Sequence, residues 1–164
     1  MTAQVLRRGE VMATVEVSLI GDHNLLNVIA VTALCLGLGL TEAEIAAGMA
    51  SFKGIRRRQE VVAEVGGVTI LDDFAHHPTA VAVTIAAVRR RFAGRRVWAV
   101  FEPRSNTSRR NIFQAQYPLA FAAAHKALIA SPQNVDSIAE GERMDAGRLA
   151  TDVTALGGDA RALP

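Results

Sequence analysis

From Val68 to the C-terminus one arrangement recurs: a short apolar run, a polar cluster, then a segment with helical spacing. The apolar runs are "VTIL", "RVWAVF" and "KALIA", and the clusters behind them are "DDFAHHPT", "EPRSNTS" and "SPQN". Strands so short and so apolar suit a buried sheet, and their alternation with helices makes that sheet mostly parallel. The expected fold class is α/β, with helices flanking the sheet. Each polar cluster sits where a strand runs out. In open α/β sheets the crevice at the carboxyl ends of the strands takes the ligand. Asp73, Arg104 and Ser131 are therefore expected on one shared rim.

The finer pattern sets the expected elements. "EVVAEV", "GG" and "VTILDD" read as a hairpin. Helices are expected at 79–92, with Val81, Ile85, Val88 and Phe92 on one face and Gly94 as the stop, at 109–124, broken near Pro118, and at 145–156, ended by Gly157 and Gly158. The last six residues carry no element signal. Upstream, residues 4–20 read as one or two strands. Asp22 then caps a helix so apolar that it demands neighbours on every side. Thr41 with Glu44 forms a capping box for a shorter helix. "FKGIRRRQE" behaves as a joint and divides the chain into 1–53 and 54–164.

Composition narrows the partners. Half of the 164 residues are hydrophobic and the net charge is only +2. Aromatic residues make up 5%, too few for the stacking surface of a nucleic-acid binder, so no nucleic-acid partner is expected. The arginines gather at 56–58, 89–96 and 104–110, which suits a small anionic ligand. The lone Cys35 has no partner for an internal disulfide, so a reducing, cytoplasmic compartment is expected. "MTAQVLRRGEVMATV" lacks the apolar core of a signal peptide. The run from Leu25 to Leu40 is too short for a membrane span and is interrupted by Asn27 and Thr32.

"LDDFAHHPT" raises the sharpest chemical question. Asp72, Asp73, His76 and His77 could ligate a metal, but adjacent histidines point apart and no other Cys/His cluster completes a tetrahedron. They could simply cap the following helix, with Pro78 near its first turn, although capping needs one polar residue and not four. They could also build a nucleotide turn, with a carboxylate on the ribose hydroxyls and imidazoles beside the sugar and phosphates. Asp72 and Asp73 alternate, so only one meets the crevice. The arginines of "GIRRRQE" form either a solvated turn or guanidinium forks for phosphate. Asn24 can cap, while Asn27 sits on an apolar helix and, if buried, needs a partner such as the adenine edge. "EPRSNTSRR" reads as an anion pocket before a helix. His125 is expected at the surface, Trp98 and Phe101 in the core.

These residues, in this order, resemble the Mur ligase family. "GDHNLLNVIAVTAL" looks like the end of that family's central ATPase domain, "FKGIRRRQEV" like its hinge, and "ILDDFAHHPTAV" like the nucleotide loop of its C-terminal domain. The resemblance implies a Rossmann-like C-terminal domain, incomplete at its end, preceded by the tail of the ATPase domain. Within the family, "DDFAHHPTA" with "WAVFEPRSNTSRRNIFQ" most resembles the branch that joins a murein tripeptide to UDP-N-acetylmuramate in cell-wall recycling. The branch adding L-alanine comes second. A non-catalytic nucleotide- or peptide-binding module is a third reading.

The resemblance also implies roles. His23, Asn24 and Asn27 match the motif that meets adenine, and Arg57 and Arg58 match the hinge arginine that reaches the nucleotide. Asp73 matches the ribose aspartate, with His76 and His77 beside it. Arg104, Ser105, Asn106 and Thr107, with Ser131 and Gln133, match loops facing the incoming amino acid or peptide. ATP and magnesium are the implied cofactors, with the metal ligands and the phosphate-cradling loop expected elsewhere in a longer protein. No G-x-x-x-x-G-K-[ST] occurs in these residues, so the chain alone is expected not to catalyse ligation.

Overall fold

A computed structural model of the chain describes residues 2–17 and 21–164. They form two compact units, Met1–Asp73 and Phe74–Pro164.

The first unit opens with an antiparallel hairpin, β1 (Thr2–Arg7) and β2 (Glu10–Glu16), so residues 4–20 supply two strands as far as they are described. Positions 18–20 lie outside the described residues. Helix α1 (Asp22–Gly37) follows, capped by Gly21 at φ +91° rather than by Asp22, which stands inside the first turn. Helix α2 (Glu42–Ser51) has the expected box. The Glu44 N–H donates to Thr41 Oγ1 at 3.3 Å, and the Thr41 N–H donates to Glu44 Oε2 at 2.8 Å. The Thr41 N–H first, and then the Thr41 hydroxyl donating to Glu44 Oε2 at 2.7 Å, hold the Glu44 carboxyl below its ordinary range. Glu42 accepts the Thr14 N–H at 3.0 Å, tying α2 to β2.

Ala3, Val15, Val17, Val28 and Ile45 form this unit's buried cluster. The expectation that α1 is surrounded fails: Val28 and Thr32 are its buried residues, whereas Leu26, Val31, Leu34 and Leu38 are exposed. Among the described residues the hairpin and α2 cover one face of α1, which leaves its other side open. Asn27 is on that open side and is exposed, so the case of a buried carboxamide there does not arise.

A second antiparallel hairpin, β3 (Glu60–Val65) and β4 (Val68–Asp72), turns through Gly66 and Gly67, both at positive φ, as the sequence pattern requires. It forms a two-stranded sheet of its own. The expectation of one parallel sheet beginning at Val68 is corrected there: the "VTIL" strand pairs antiparallel with its hairpin partner.

The second unit holds the parallel sheet, in the order β5 (Trp98–Phe101), β6 (Lys126–Ala130), β7 (Ala160–Leu163). It is an α/β fold with helices α3 (Pro78–Arg91), α4 (Tyr117–Ala120) and α5 (Ala146–Ala155) flanking a three-stranded parallel sheet. β7 corrects the reading of a featureless tail. The long helix expected at 109–124 is also replaced, by a 3-10 turn at Asn111–Phe113 and the single turn α4. Gln114 explains this. Its buried amide donates to the Asp145 carbonyl at 3.0 Å and accepts the Asp145 N–H at 2.9 Å, pinning the segment to the start of α5.

Val81 and Ile85 from α3, Phe101, Tyr117, Phe121, Ile129 and Leu149 share one core. Burial pushes the Tyr117 phenol up to about 12. Trp98 is 54% exposed and lies over Lys126, against the expected core position. α5 ends as anticipated: Gly157 has φ +87°, and a Cβ on Gly158 would come within 2.8 Å of Val153.

Candidate functional site

The residues singled out by the sequence motifs fall into two groups, one in each unit. In the first, the turn before β3 is bent by two non-glycine residues in the left-handed region, Arg57 at φ +58° and Gln59 at φ +52°. That bend lets the chain bond to both aspartates at the end of β4. Arg57 Nε pairs with Asp72 Oδ2 at 3.3 Å, and the Gln59 N–H donates to Asp73 Oδ2 at 2.9 Å. Arg57 and Arg58 are themselves exposed. The Gln59 side chain turns inward, to 7% exposure, and its Nε2 lies 3.4 Å from His23 Nε2 at the start of α1. The structure thus brings His23 and Asp73 onto one residue that the sequence motifs do not single out. Asn24 is half-buried on the same first turn of α1, and Asn27 stands one turn further on.

In the second unit, His77 is the N-cap of α3 and its Nδ1 accepts the Thr79 N–H at 3.3 Å. Its ring meets Phe113 edge-on, with centroids 4.5 Å apart. The capping role considered for this cluster therefore belongs to His77. His76 Nδ1 bonds the Phe74 carbonyl at 2.9 Å, and the His76 carbonyl accepts from the Tyr117 hydroxyl.

The loops behind β5 and β6 leave neighbouring parallel strands in register, Phe101 opposite Ile129, and so emerge on the same edge. Arg109 fastens them together, with its Nη1 donating to the Asn134 carbonyl at 2.6 Å. The first loop is braced by Ser108, which is fully buried: its Oγ accepts the Ser105 N–H at 3.0 Å and the Ser105 hydroxyl at 2.8 Å. Ser105 Oγ is also 3.3 Å from Thr107 Oγ1. Arg104, Asn106 and Thr107 face solvent, with Arg104 3.6 Å from Glu102. In the second loop Ser131 donates its N–H and its hydroxyl to the Leu163 carbonyl, at 3.1 and 3.0 Å. Gln133 is exposed and lies 3.4 Å from the Ser131 carbonyl.

The result is a two-loop rim fastened by hydrogen bonds, with the exposed Arg104 at its tip. Arg109 belongs to the "EPRSNTSRR" stretch, but its fastening role depends on a carbonyl 25 positions away, which no local pattern reveals. Among the described residues no group of three or more His, Cys, Asp or Glu side chains is placed to hold a metal ion. No helix among them is long and apolar enough to cross a membrane.

Residues 57–160 match the family model described as "Mur ligase, glutamate ligase domain". The chain belongs to the Mur ligase family. Over 152 residues it is 38% identical to a UDP-N-acetylmuramate–L-alanine ligase of Synechococcus sp. (strain JA-3-3Ab), an alignment covering 93% of this chain and 29% of that protein. It is also 38% identical, over 133 residues, to the UDP-N-acetylmuramate–L-alanyl-γ-D-glutamyl-meso-2,6-diaminoheptandioate ligase of Escherichia coli (strain K12), covering 80% of this chain and 29% of that one. The crystal structure of a UDP-N-acetylmuramate–alanine ligase from Thermotoga maritima superposes on 99% of this chain and 34% of its own, with a TM-score of 0.79 at 20% identity, a likeness of fold.

The chain spans less than a third of the length of these two curated relatives. Most of the curated relatives are L-alanine ligases. The L-alanine branch, placed second from the sequence, is thus better supported than the murein-peptide branch placed first.

Proposed function

We propose that this chain is the C-terminal region of an ATP-dependent ligase that joins an amino acid or short peptide to UDP-N-acetylmuramate. In this reading residues 1–53 end an ATPase domain and 54–164 form the C-terminal domain. The start of the family match at residue 57 supports that boundary. His23, Asn24 and Asn27 meet the adenine, Asp73 the ribose, and Arg57 and Arg58 the phosphates, with His76 and His77 beside the nucleotide. Arg104, Ser105, Asn106, Thr107, Ser131 and Gln133 face the incoming amine-bearing substrate.

The reaction balances in two steps. A carboxylate oxygen attacks the γ-phosphorus of ATP, giving an acyl phosphate and releasing ADP. The amine then attacks the acyl carbon, an amide forms, and inorganic phosphate leaves. Negative charge grows in both transition states, so guanidinium groups held at the site contribute chiefly by electrostatic stabilisation. Arg57, positioned by Asp72 at 3.3 Å, and Arg104, exposed on the braced rim, are suited to that role.

The observation carrying the proposal is the fastened pair of strand-exit loops within a chain of this family. L-alanine is the acceptor favoured by most relatives. The murein tripeptide is the second reading, favoured by the equal identity to the Escherichia coli peptide ligase. The test is phosphate release by the natural polypeptide containing this chain, with ATP, UDP-N-acetylmuramate and each acceptor in turn. A higher kcat/KM for L-alanine is expected. A preference for the tripeptide reverses the order of the two acceptors, and no release with either overturns the proposal. The 164-residue chain by itself should turn over no ATP, because its sequence lacks a phosphate-cradling loop.

A further inference from the structure

We infer that Gln59, paired with His23, is a specificity-determining residue for the base of the bound nucleotide. This rests on the nucleotide reading above, which gives Gln59 no role.

Three observations about this one residue converge. Its side chain is 7% exposed although the flanking Arg58 is open to solvent. Its N–H is committed to Asp73, the proposed ribose carboxylate, at 2.9 Å. Its amide lies 3.4 Å from the ring of His23, in the proposed adenine motif. A left-handed φ of +52° permits this arrangement, turning the main chain toward Asp73 while the side chain points inward. Gln59 thereby links the two segments that would hold base and sugar.

The pair is incomplete. Gln59 Oε1 and His23 Nδ1 are both buried and both lack a hydrogen-bond partner. Buried polar atoms are nearly always satisfied, so two orphans on one bonded pair point to a missing partner. Its chemistry can be deduced. If the Gln59 amide donates to His23 Nε2, the ring proton sits on Nδ1, leaving Oε1 to accept and Nδ1–H to donate. If the amide is turned, Oε1 accepts from Nε2–H, leaving the amide N–H to donate and Nδ1 to accept. Either way one donor and one acceptor remain open. The matching ligand presents one of each, as the amino-bearing edge of a purine does. Because the amide can turn, this edge accommodates a 6-amino or a 6-oxo purine. A carboxylate at position 59 could not.

The test is titration of the natural polypeptide containing this chain with adenosine, inosine and ribose 5-phosphate, followed by calorimetry. Gln59→Met retains the shape and removes both polar atoms. It should weaken adenosine binding about tenfold, the scale of one net hydrogen bond, and leave ribose 5-phosphate unchanged. Gln59→Glu, which can only accept, should shift preference from inosine toward adenosine, a change that a purely structural role would not produce. Circular dichroism checks the fold of both variants, and Gln59→Glu alone decides the matter should the methionine variant fail to fold. Unchanged adenosine binding in Gln59→Met would assign the orphan atoms to buried water and overturn the inference. Equal weakening for adenosine and ribose 5-phosphate would reduce Gln59 to a structural role, also overturning it. Adenosine binding with no shift in Gln59→Glu sinks the inference alone, whereas no binding of any probe to the wild-type polypeptide sinks the nucleotide reading with it.

Discussion

In the second unit the strand-exit loops are satisfied from within: Ser108 braces Ser105, Arg109 holds the Asn134 carbonyl, and Gln114 engages both backbone groups of Asp145. The first unit leaves His23 Nδ1, Thr32 Oγ1 and Gln59 Oε1 buried without partners, while Arg109 Nε is the matching exception in the second. Their apolar cores differ in the same way. Thirteen buried residues form the core cluster of the second unit, but five form that of the first, among the described residues. Along α1 a stripe of Leu26, Leu34 and Leu38 stands open. The first unit, among the described residues, buries a smaller apolar cluster and leaves more apolar side chains of its helix exposed.

The largest effect should come from the second core. Leu149, fully buried on α5, loses a packed isobutyl group in Leu149→Ala, at a cost of about 3 kcal/mol. Urea unfolding followed by the fluorescence of Trp98, the chain's single tryptophan, reports on that unit. A loss below about 1 kcal/mol would mean that the core is loosely packed and the contrast between units is overstated.

Alkaline pH tests the same core by charge. Tyr117 is the only tyrosine, so its ultraviolet titration is read without overlap. Burial raises its pKa from 10.0 to about 12 in the folded chain. The neutral phenol is therefore the favoured folded form, and its contribution is complete below the unfolded value. As pH rises from 10.0 to about 12, up to roughly 2 kcal/mol should be lost from the second unit. Phenolate appearing at the ordinary value would break the prediction. Tyr117→Phe should abolish this pH dependence and cost about 1 kcal/mol for the bond to the His76 carbonyl.

A smaller effect belongs to the first unit. Thr41→Ala removes the hydroxyl half of the α2 capping box, worth about 1 kcal/mol, and should speed hydrogen exchange at the Glu44 amide. The Glu44 carboxyl is held below its ordinary value by Thr41, so the box contributes above the unfolded pKa and weakens as pH falls through the folded one. The difference between wild type and variant should shrink in that acid window.

What could be read from the sequence follows from the range of the interactions involved. The capping box, the Gly66–Gly67 hairpin, the Pro78 start of α3 and the Gly157 stop of α5 are local devices, and each was legible. β7 was not. "ARAL" becomes a strand only beside β6, some 30 residues upstream, through pairs such as Ile129 with Ala162. The 109–124 helix failed for a similar reason, since helical spacing there was overridden by the bonds between Gln114 and Asp145. Of the residues proposed for the nucleotide, the motifs single out His23 and Asp73 but not Gln59, whose burial depends on a left-handed turn that no local sequence pattern announces.

The smallest predicted change is the most direct check on the comparison. Leu34 is 63% exposed on α1, so Leu34→Gln removes little buried surface, and the two residues have similar helix propensity. Stability of the first unit should move by less than about 0.5 kcal/mol, against the cost expected at Leu149. Binding of a hydrophobic dye should fall, because the stripe with Leu26 and Leu38 is interrupted. A cost above about 1.5 kcal/mol would show instead that the outer face of α1 is already covered within this chain, and the contrast between the two cores would fail.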